Sequence, residues 1–393
     1  MDDLQRWRGD TPGCTERIHL NNAGAGLMPA PVLRAIAEHL ELESRIGGYE
    51  AEAVRADAIA GCYQLLATLV GARPANIAIA ASATAAFTQA LSAFDFRPGD
   101  RIVTTRCDYV SNQIQFLALQ RRRGVVVEHA PDLPEGGVDP DGLRALLRRG
   151  PAALVSATWV PTNSGLVQDV EAVGRVCRDE GVPYLVDGCQ AVGQLPVDIA
   201  RIGCDYFSAT GRKFLRGPRG IGFLVVSDDA LARGDYPLHV DMRGARWTDP
   251  GRFEVVPGAD RFEDWEFPHA LVLGQGEAAR YALAVGIERA SARAWELAAA
   301  LRQRLAGVPG VRVLDRGARR CAIVTAEIEG RQAEALVEAL HGHGINTTAT
   351  LREYAVYDMD EKAAGSALRI SPHYYNTHDE IDRFMDALGG LLA

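Results

Sequence analysis

Short apolar runs alternate with longer stretches of helical character through the middle of this 393-residue chain, and that alternation restricts its folds sharply. Asn76–Ala80, Asp100–Thr104, Val125–Glu128, Ala153–Ala157, Pro183–Asp187, Cys204–Ser208 and Ile221–Val226 read as strands. Helical stretches lie between several of them, such as Gln168–Glu180, closed by Gly181 and Pro183. This order predicts an α/β unit around a mostly parallel, buried sheet.

After about Trp265 the pattern changes. A long Ala- and Leu-rich tract from Leu271 to Leu305 predicts one or two helices. Strand-like Val311–Leu314 and Ala322–Ile328, a helix near Arg331–Leu340, strand-like Ala367–Ser371 and an amphipathic helix from Thr377 then predict a smaller α+β unit. A chain of this length suits two domains. The expected division is a large domain over residues 20–265 and a small one over 266–393, with residues 1–19 packing on the small domain.

A formal net charge of −9 and a pI near 5.6 argue against nucleic acid or an anionic membrane as partner. The seven cysteines are scattered without a Cys-x-x-Cys pair, a reduced intracellular pattern that indicates neither disulfides nor a zinc or other metal site. The first residues lack the basic and apolar regions of a signal peptide. No apolar run approaches the roughly 20 residues of a membrane-spanning helix. A cytoplasmic location is expected.

Of the 42 Lys and Arg residues only Lys213 and Lys362 are lysines. Lysine can shed its proton and act as a nucleophile, which arginine cannot. Lys362, in the polar run Met359–Gly365, reads as a solvated charge. Lys213 follows the strand Cys204–Ser208 and precedes a glycine-rich turn, while Asp187 ends the preceding strand and Gln190 follows it. Ligands of parallel sheets bind outside the carboxyl ends of the strands, so these three residues should share one mouth. Singly, each has a plainer reading: a turn-forming Asp, a solvated Lys. Together they meet the needs of pyridoxal 5′-phosphate (PLP), whose aldehyde takes a lysine as an imine and whose pyridine nitrogen takes a carboxylate. Its phosphate needs free N–H groups at a helix start, which Ala81-Ser-Ala-Thr84 could supply, although that segment could equally be a helix cap.

The blocks Tyr184-Leu-Val-Asp-Gly-Cys-Gln-Ala-Val-Gly193 and Cys204-Asp-Tyr-Phe-Ser-Ala-Thr-Gly-Arg-Lys-Phe-Leu-Arg-Gly-Pro-Arg-Gly-Ile-Gly-Phe223 resemble the class V aminotransferase group of fold-type I PLP enzymes. That branch holds cysteine desulfurases, selenocysteine lyases, kynureninase and isopenicillin N epimerase. The resemblance runs from Leu20-Asn-Asn-Ala-Gly-Ala-Gly26 to Leu368-Arg-Ile-Ser-Pro-His-Tyr-Tyr-Asn-Thr377. It implies that Lys213 binds the cofactor and shuttles protons, that Asp187 pairs with the pyridine nitrogen, and that Gln190 contacts the 3-oxygen. Asn163 would stand near that oxygen or the substrate. The N–H of Ala83, with Thr84, Thr210 and Arg212, would hold the phosphate. Arg212 replaces the group's usual histidine, and Tyr109 falls where desulfurases stack a histidine on the ring, although Tyr109 also reads as a core aromatic. Arg369 would grip the substrate carboxylate, with Asn22 beside the substrate, and His269 would reach the phosphate of a partner subunit in a homodimer with composite sites.

Desulfurases carry a persulfide-forming cysteine shortly before that arginine. The stretch Asn346–Asp358 has none, and no cysteine follows Cys321. Persulfide chemistry is therefore not expected. β-Elimination from an S-substituted cysteine, a C–S lyase reaction in specialised metabolism, is the expected activity on an amino-acid substrate. The alternatives are an aminotransferase, an epimerase or a decarboxylating deaminase. A non-catalytic PLP-binding regulatory module is disfavoured for want of a helix-turn-helix extension, and a nicotinamide enzyme for want of Gly-x-Gly-x-x-Gly after a strand.

Overall fold

The computed structural model describes residues 2–392; Met1 and Ala393, the ends of the two expected terminal ranges, lie outside it. All seven strands read from the alternation form one sheet, in the order Ile77–Ala80, Gly222–Val226, Tyr206–Thr210, Tyr184–Asp187, Leu154–Thr158, Arg101–Thr104, Val126–His129. Six run in the same direction, and Gly222–Val226 alone is reversed, pairing antiparallel with both neighbours. Every residue of Leu154–Thr158, Tyr184–Asp187 and Tyr206–Thr210 is buried, as expected of strands covered on both faces. Successive residues serve opposite faces: Val155, Val186 and Phe207 join one apolar core, and Leu154, Leu185 and Tyr206 the other.

A second, antiparallel sheet orders Val311–Val313, Val324–Ile328, Ser366–Ile370 and Thr348–Leu351. The Leu271–Leu305 tract divides into the helices His269–Val285 and Ile287–Ala306, and the chain closes with the helix His378–Leu392. Near its start, Ile18–His19 pairs with Ile345–Asn346, the Trp7 ring packs edge-on against Tyr374, and Arg8 forms an ion pair with Glu380 at 2.8 Å.

Several elements have no counterpart in the sequence reading, including the helices Ala30–Ile46 and Gly48–Val70 and the exposed hairpin Ala245–Asp249/Arg252–Val255. The helix Gly48–Val70 also corrects the search for spanning segments. At 23 residues it is long and apolar enough to cross a bilayer by length and composition, yet here it packs along His269–Val285 and Ala30–Ile46.

Candidate active site

The parallel strands end at one edge of the large sheet, and the segments that follow them carry the polar side chains. Lys213 stands three residues beyond Thr210. Because Thr210 pairs with Gly222 on the reversed strand, residues 211–221 form a loop closed at its base, with Gly211 N–H donating to Ile221 O at 3.1 Å. Arg216 anchors that loop from inside. Its backbone is left-handed (φ 63°), and its buried guanidinium lies against the rings of Tyr281, Tyr374 and Tyr375. It donates to Leu27 O at 2.7 Å and to Thr11 Oγ1 and the Tyr374 hydroxyl at 2.5 Å. A non-glycine residue in this conformation costs roughly 1–2 kcal/mol, which these bonds and cation–π contacts offset.

Held this way, Lys213 is buried. Burial pulls its ammonium below the ordinary lysine range, opposed by Cys189 and Asp187 and reinforced by Arg212 and Arg369. Its Nζ lies 5.9 Å from the centre of the Tyr109 ring. A lysine neutralised by burial is a nucleophile.

Asp187 ends its strand and is buried, which pushes its carboxyl upward; Lys213 pulls the other way, as do the Cys189 N–H at 2.9 Å and the Asn112 amide at 3.1 Å. Asn112 also donates to Asp108 at 3.0 Å. Asp108 is buried as well and collects Thr104 Oγ1 at 2.5 Å, the Tyr109 N–H at 2.7 Å and the Thr158 hydroxyl. Gln190 donates to Ala23 O at 3.0 Å and Thr162 Oγ1 at 3.1 Å, and its buried Oε1 has no partner.

Along the edge, the helix Ala83–Ser92 begins under the Ser82 side chain, which accepts from Ala85 N–H at 3.0 Å. The N–H groups of Ala83 and Thr84 have no partner within the helix. Gly222 faces this turn: a Cβ there would sit 2.8 Å from Ala83 N and 2.5 Å from Ala209 O. Thr210 is buried on the adjoining strand, while Arg212 is half-buried and donates to Gly24 O.

Opposite the sheet, Arg369 is buried on the second sheet. It donates to Thr162 O at 3.0 Å, Thr162 Oγ1 at 2.7 Å and Asn21 Oδ1 at 3.3 Å. Its Nε is buried without a partner, and among the described residues none of its hydrogen-bond acceptors is a carboxylate. Burial, then Arg212, pulls it down to about 10. Asn163, beside Thr162, donates to Asp358, whose Oδ2 also accepts the Lys362 ammonium at 2.6 Å. Lys362 is therefore not the solvated charge read from its polar run: its side chain is 2% exposed.

Two further expected site residues make other contacts within this chain. Asn22 is fully buried, donates to Ser371 O at 2.8 Å and His19 O at 3.3 Å, and accepts from Tyr375, so its amide is spent on the fold. It is the neighbouring Asn21 that reaches Arg369. His269 opens the helix His269–Val285 against His39, with Glu52 at 3.5 Å. His39, Glu43 and His269 bring potential metal-ligand atoms within 4.8 Å of one another, a grouping the cysteine pattern gave no reason to expect.

Sequence reasoning missed Asp108, Asn112, Arg216 and the Asp358–Lys362 pair. Only the last left a readable signal, the i,i+4 acid–base spacing on a helix.

The model of the family described as aminotransferase class-V matches residues 18–384. A probable hercynylcysteine sulfoxide lyase of Mycobacterium tuberculosis is 30% identical, over 98% of this chain and 92% of that protein. A probable cysteine desulfurase of Xylella fastidiosa is 28% identical over 98% and 95%. Among solved structures, the cystine C–S lyase C-DES with its product cysteine persulfide superposes with a TM-score of 0.85 at 25% identity, over 96% of this chain and 98% of that one. A C-DES mutant with glycine covalently linked to the PLP cofactor gives 0.86 at 25% identity, over 97% and 98%.

Proposed function

The chain belongs to the class V aminotransferase family of PLP-dependent enzymes, and from that premise we propose that it cleaves the C–S bond of an S-substituted cysteine by β-elimination. The observation that carries this reading is the state of the thiols near the Lys213 cluster. Cys107 is buried, its thiol directed at Asp358 Oδ1 (3.8 Å), and burial holds it well above the ordinary thiol range. Cys189, beside Lys213, is likewise pushed up by burial. Burial thus disfavours the thiolate at both positions, and the late segment 346–358 contributes no cysteine. A persulfide carried on the enzyme needs an enzyme thiolate to take the sulfur. Without one, the sulfur leaves with the substrate fragment that carries it.

The residues present fit PLP. Lys213 is buried with a lowered proton affinity, Asp187 is a buried carboxylate, Gln190 Oε1 and Arg369 Nε are buried without partners, and the absent Gly222 side chain leaves the first turn at Ala83 uncovered. When bound, PLP supplies the electron sink that makes the substrate Cα–H acidic. Lys213 takes that proton. Arg369 would hold the carboxylate, Tyr109 would offer its ring to the cofactor, and Ala83, Thr84, Thr210 and Arg212 would hold the phosphate. Departure of the thiolate and uptake of one water give thiol, pyruvate and ammonia in equal amounts. A homodimer with His269 facing the partner's phosphate completes the proposal, supported by the exposed Leu40, Ile46, Tyr49 and Val54 on the helices beside it.

Purified enzyme incubated with cystine and a panel of S-substituted cysteines tests this directly. Pyruvate and ammonia are expected in equal amounts, with one equivalent of thiol from each S-substituted cysteine or of cysteine persulfide from cystine, and Lys213→Ala should lose both activity and the covalent cofactor absorbance. Amino transfer to a 2-oxo acid, or racemised substrate without pyruvate, would instead make the enzyme an aminotransferase or epimerase.

A further inference from the structure

The Asp358 carboxylate joins three separate parts of the chain. It accepts the Asn163 amide from the segment after Leu154–Thr158, the Cys107 thiol from the segment after Arg101–Thr104, and the Lys362 ammonium from the end of its own helix, Val356–Glu361. Cys107 is two residues from Tyr109. One carboxylate therefore links both segments that face the Lys213 cluster to the part of the chain bearing Arg369.

The local backbone enforces this arrangement. The helix Val356–Glu361 stops at Lys362, and the next residue, Ala363, is left-handed with φ 50°. Ala364 N–H returns to Met359 O at 3.0 Å, and Arg312 caps the end through Lys362 O at 2.7 Å. A non-glycine residue in that conformation persists only where its surroundings fix it. The terminus so fixed leaves the lysine buried against Asp358, with each charge neutralised by the other.

We propose that Asp358, charge-matched by Lys362, is a positioning residue that sets the spacing between the Tyr109 and Asn163 segments and thereby the seat of the amino-acid substrate. This rests on the reading of the Lys213 cluster as an amino-acid site. Neither residue touches the reacting atoms.

Two charge-neutral double variants separate positioning from plain stability. Asp358→Asn with Lys362→Met keeps an acceptor for Asn163 and leaves no buried charge unpaired. Asp358→Leu with Lys362→Met removes the acceptor. Holoenzyme is titrated with L-alanine, which offers an amino group and a carboxylate but no leaving group, and the cofactor absorbance is followed. The Asn/Met variant should bind L-alanine within about threefold of wild type, and the Leu/Met variant about tenfold more weakly, the equivalent of one hydrogen bond. Both should keep the wild-type cofactor absorbance. Equal affinities in the two variants would overturn the proposal. So would weakening that merely tracks loss of cofactor absorbance or melting temperature. A wild type blind to L-alanine would instead remove the amino-acid reading, and the proposal with it.

Discussion

Asp108 and Asp187 share a single amide nitrogen: Asn112 Nδ2 stands 3.0 Å from the first and 3.1 Å from the second. Both carboxylates are buried, and burial alone would favour their protonated forms. The shared donor works against this on each, and it lets two like charges lie close together. Asn112→Leu keeps the volume and deletes the donor. Asp187 should then take a proton more readily, the acid limb of the pH–rate profile should move to higher pH, and kcat should fall about tenfold. An unmoved acid limb would show that Asn112 only packs.

Arg369 is a guanidinium without a carboxylate partner among the described residues, and its Nε points at no acceptor. Only an anionic ligand would complete it. Arg369→Lys loses the bidentate geometry, so KM for an amino-acid substrate should rise about 100-fold with kcat much less affected. Steady-state kinetics separate the two parameters, and a fall in kcat alone would contradict the assignment.

The contrast between Arg369 and Asp358 shows where sequence reading stops. Strands buried on both faces announce themselves as apolar runs, so the ends of those strands, and with them the positions of Lys213, Asp187 and Gln190, are legible in the sequence. Asp358 and Lys362 stand among Asp360, Glu361 and other polar residues on a one-and-a-half-turn helix, where nothing local distinguishes a buried side chain from a solvated one. The partner that Asp358 meets in the fold, Asn163, lies nearly two hundred residues earlier. Asn22 and Asn21 carry the same side chain, and only the register of this segment against Ser371 decides which turns into the fold and which towards Arg369. The helices Ala30–Ile46 and Gly48–Val70 were missed because glycine at Gly47 (φ 98°) joins them without a conventional loop.

His373 reports on the Lys213 loop through acid stability. Its Nδ1 accepts the Tyr374 N–H at 2.9 Å, so Nε2 carries the proton and donates to Phe214 O, the residue after Lys213, at 2.8 Å. Burial, then the Arg216 charge, pulls the imidazole from 6.5 down to about 3. The folded chain favours the neutral form, so this stabilisation is complete above pH 6.5 and is lost as pH falls from there towards 3, at about 1.4 kcal/mol per unit. Urea unfolding across that window should show the slope in wild type and a flatter one in His373→Asn. Parallel slopes would contradict it.

Gly222 tests the helix start. With backbone atoms as the obstacles to a Cβ at 2.5 and 2.8 Å, Gly222→Ala must displace either the strand or the first turn at Ala83. PLP affinity, measured by titrating apoenzyme, should drop about tenfold or more as free N–H groups leave the phosphate. Unchanged affinity would place the phosphate elsewhere.

Both lysines turn their side chains inward and are buried. Every other basic side chain of the surface is a guanidinium or an imidazole. Apart from a chain terminus, amine-specific dyes and coupling resins therefore meet no primary amine on the described exterior. Attachment of an amine-specific label anywhere but that terminus would report that a buried lysine had become accessible.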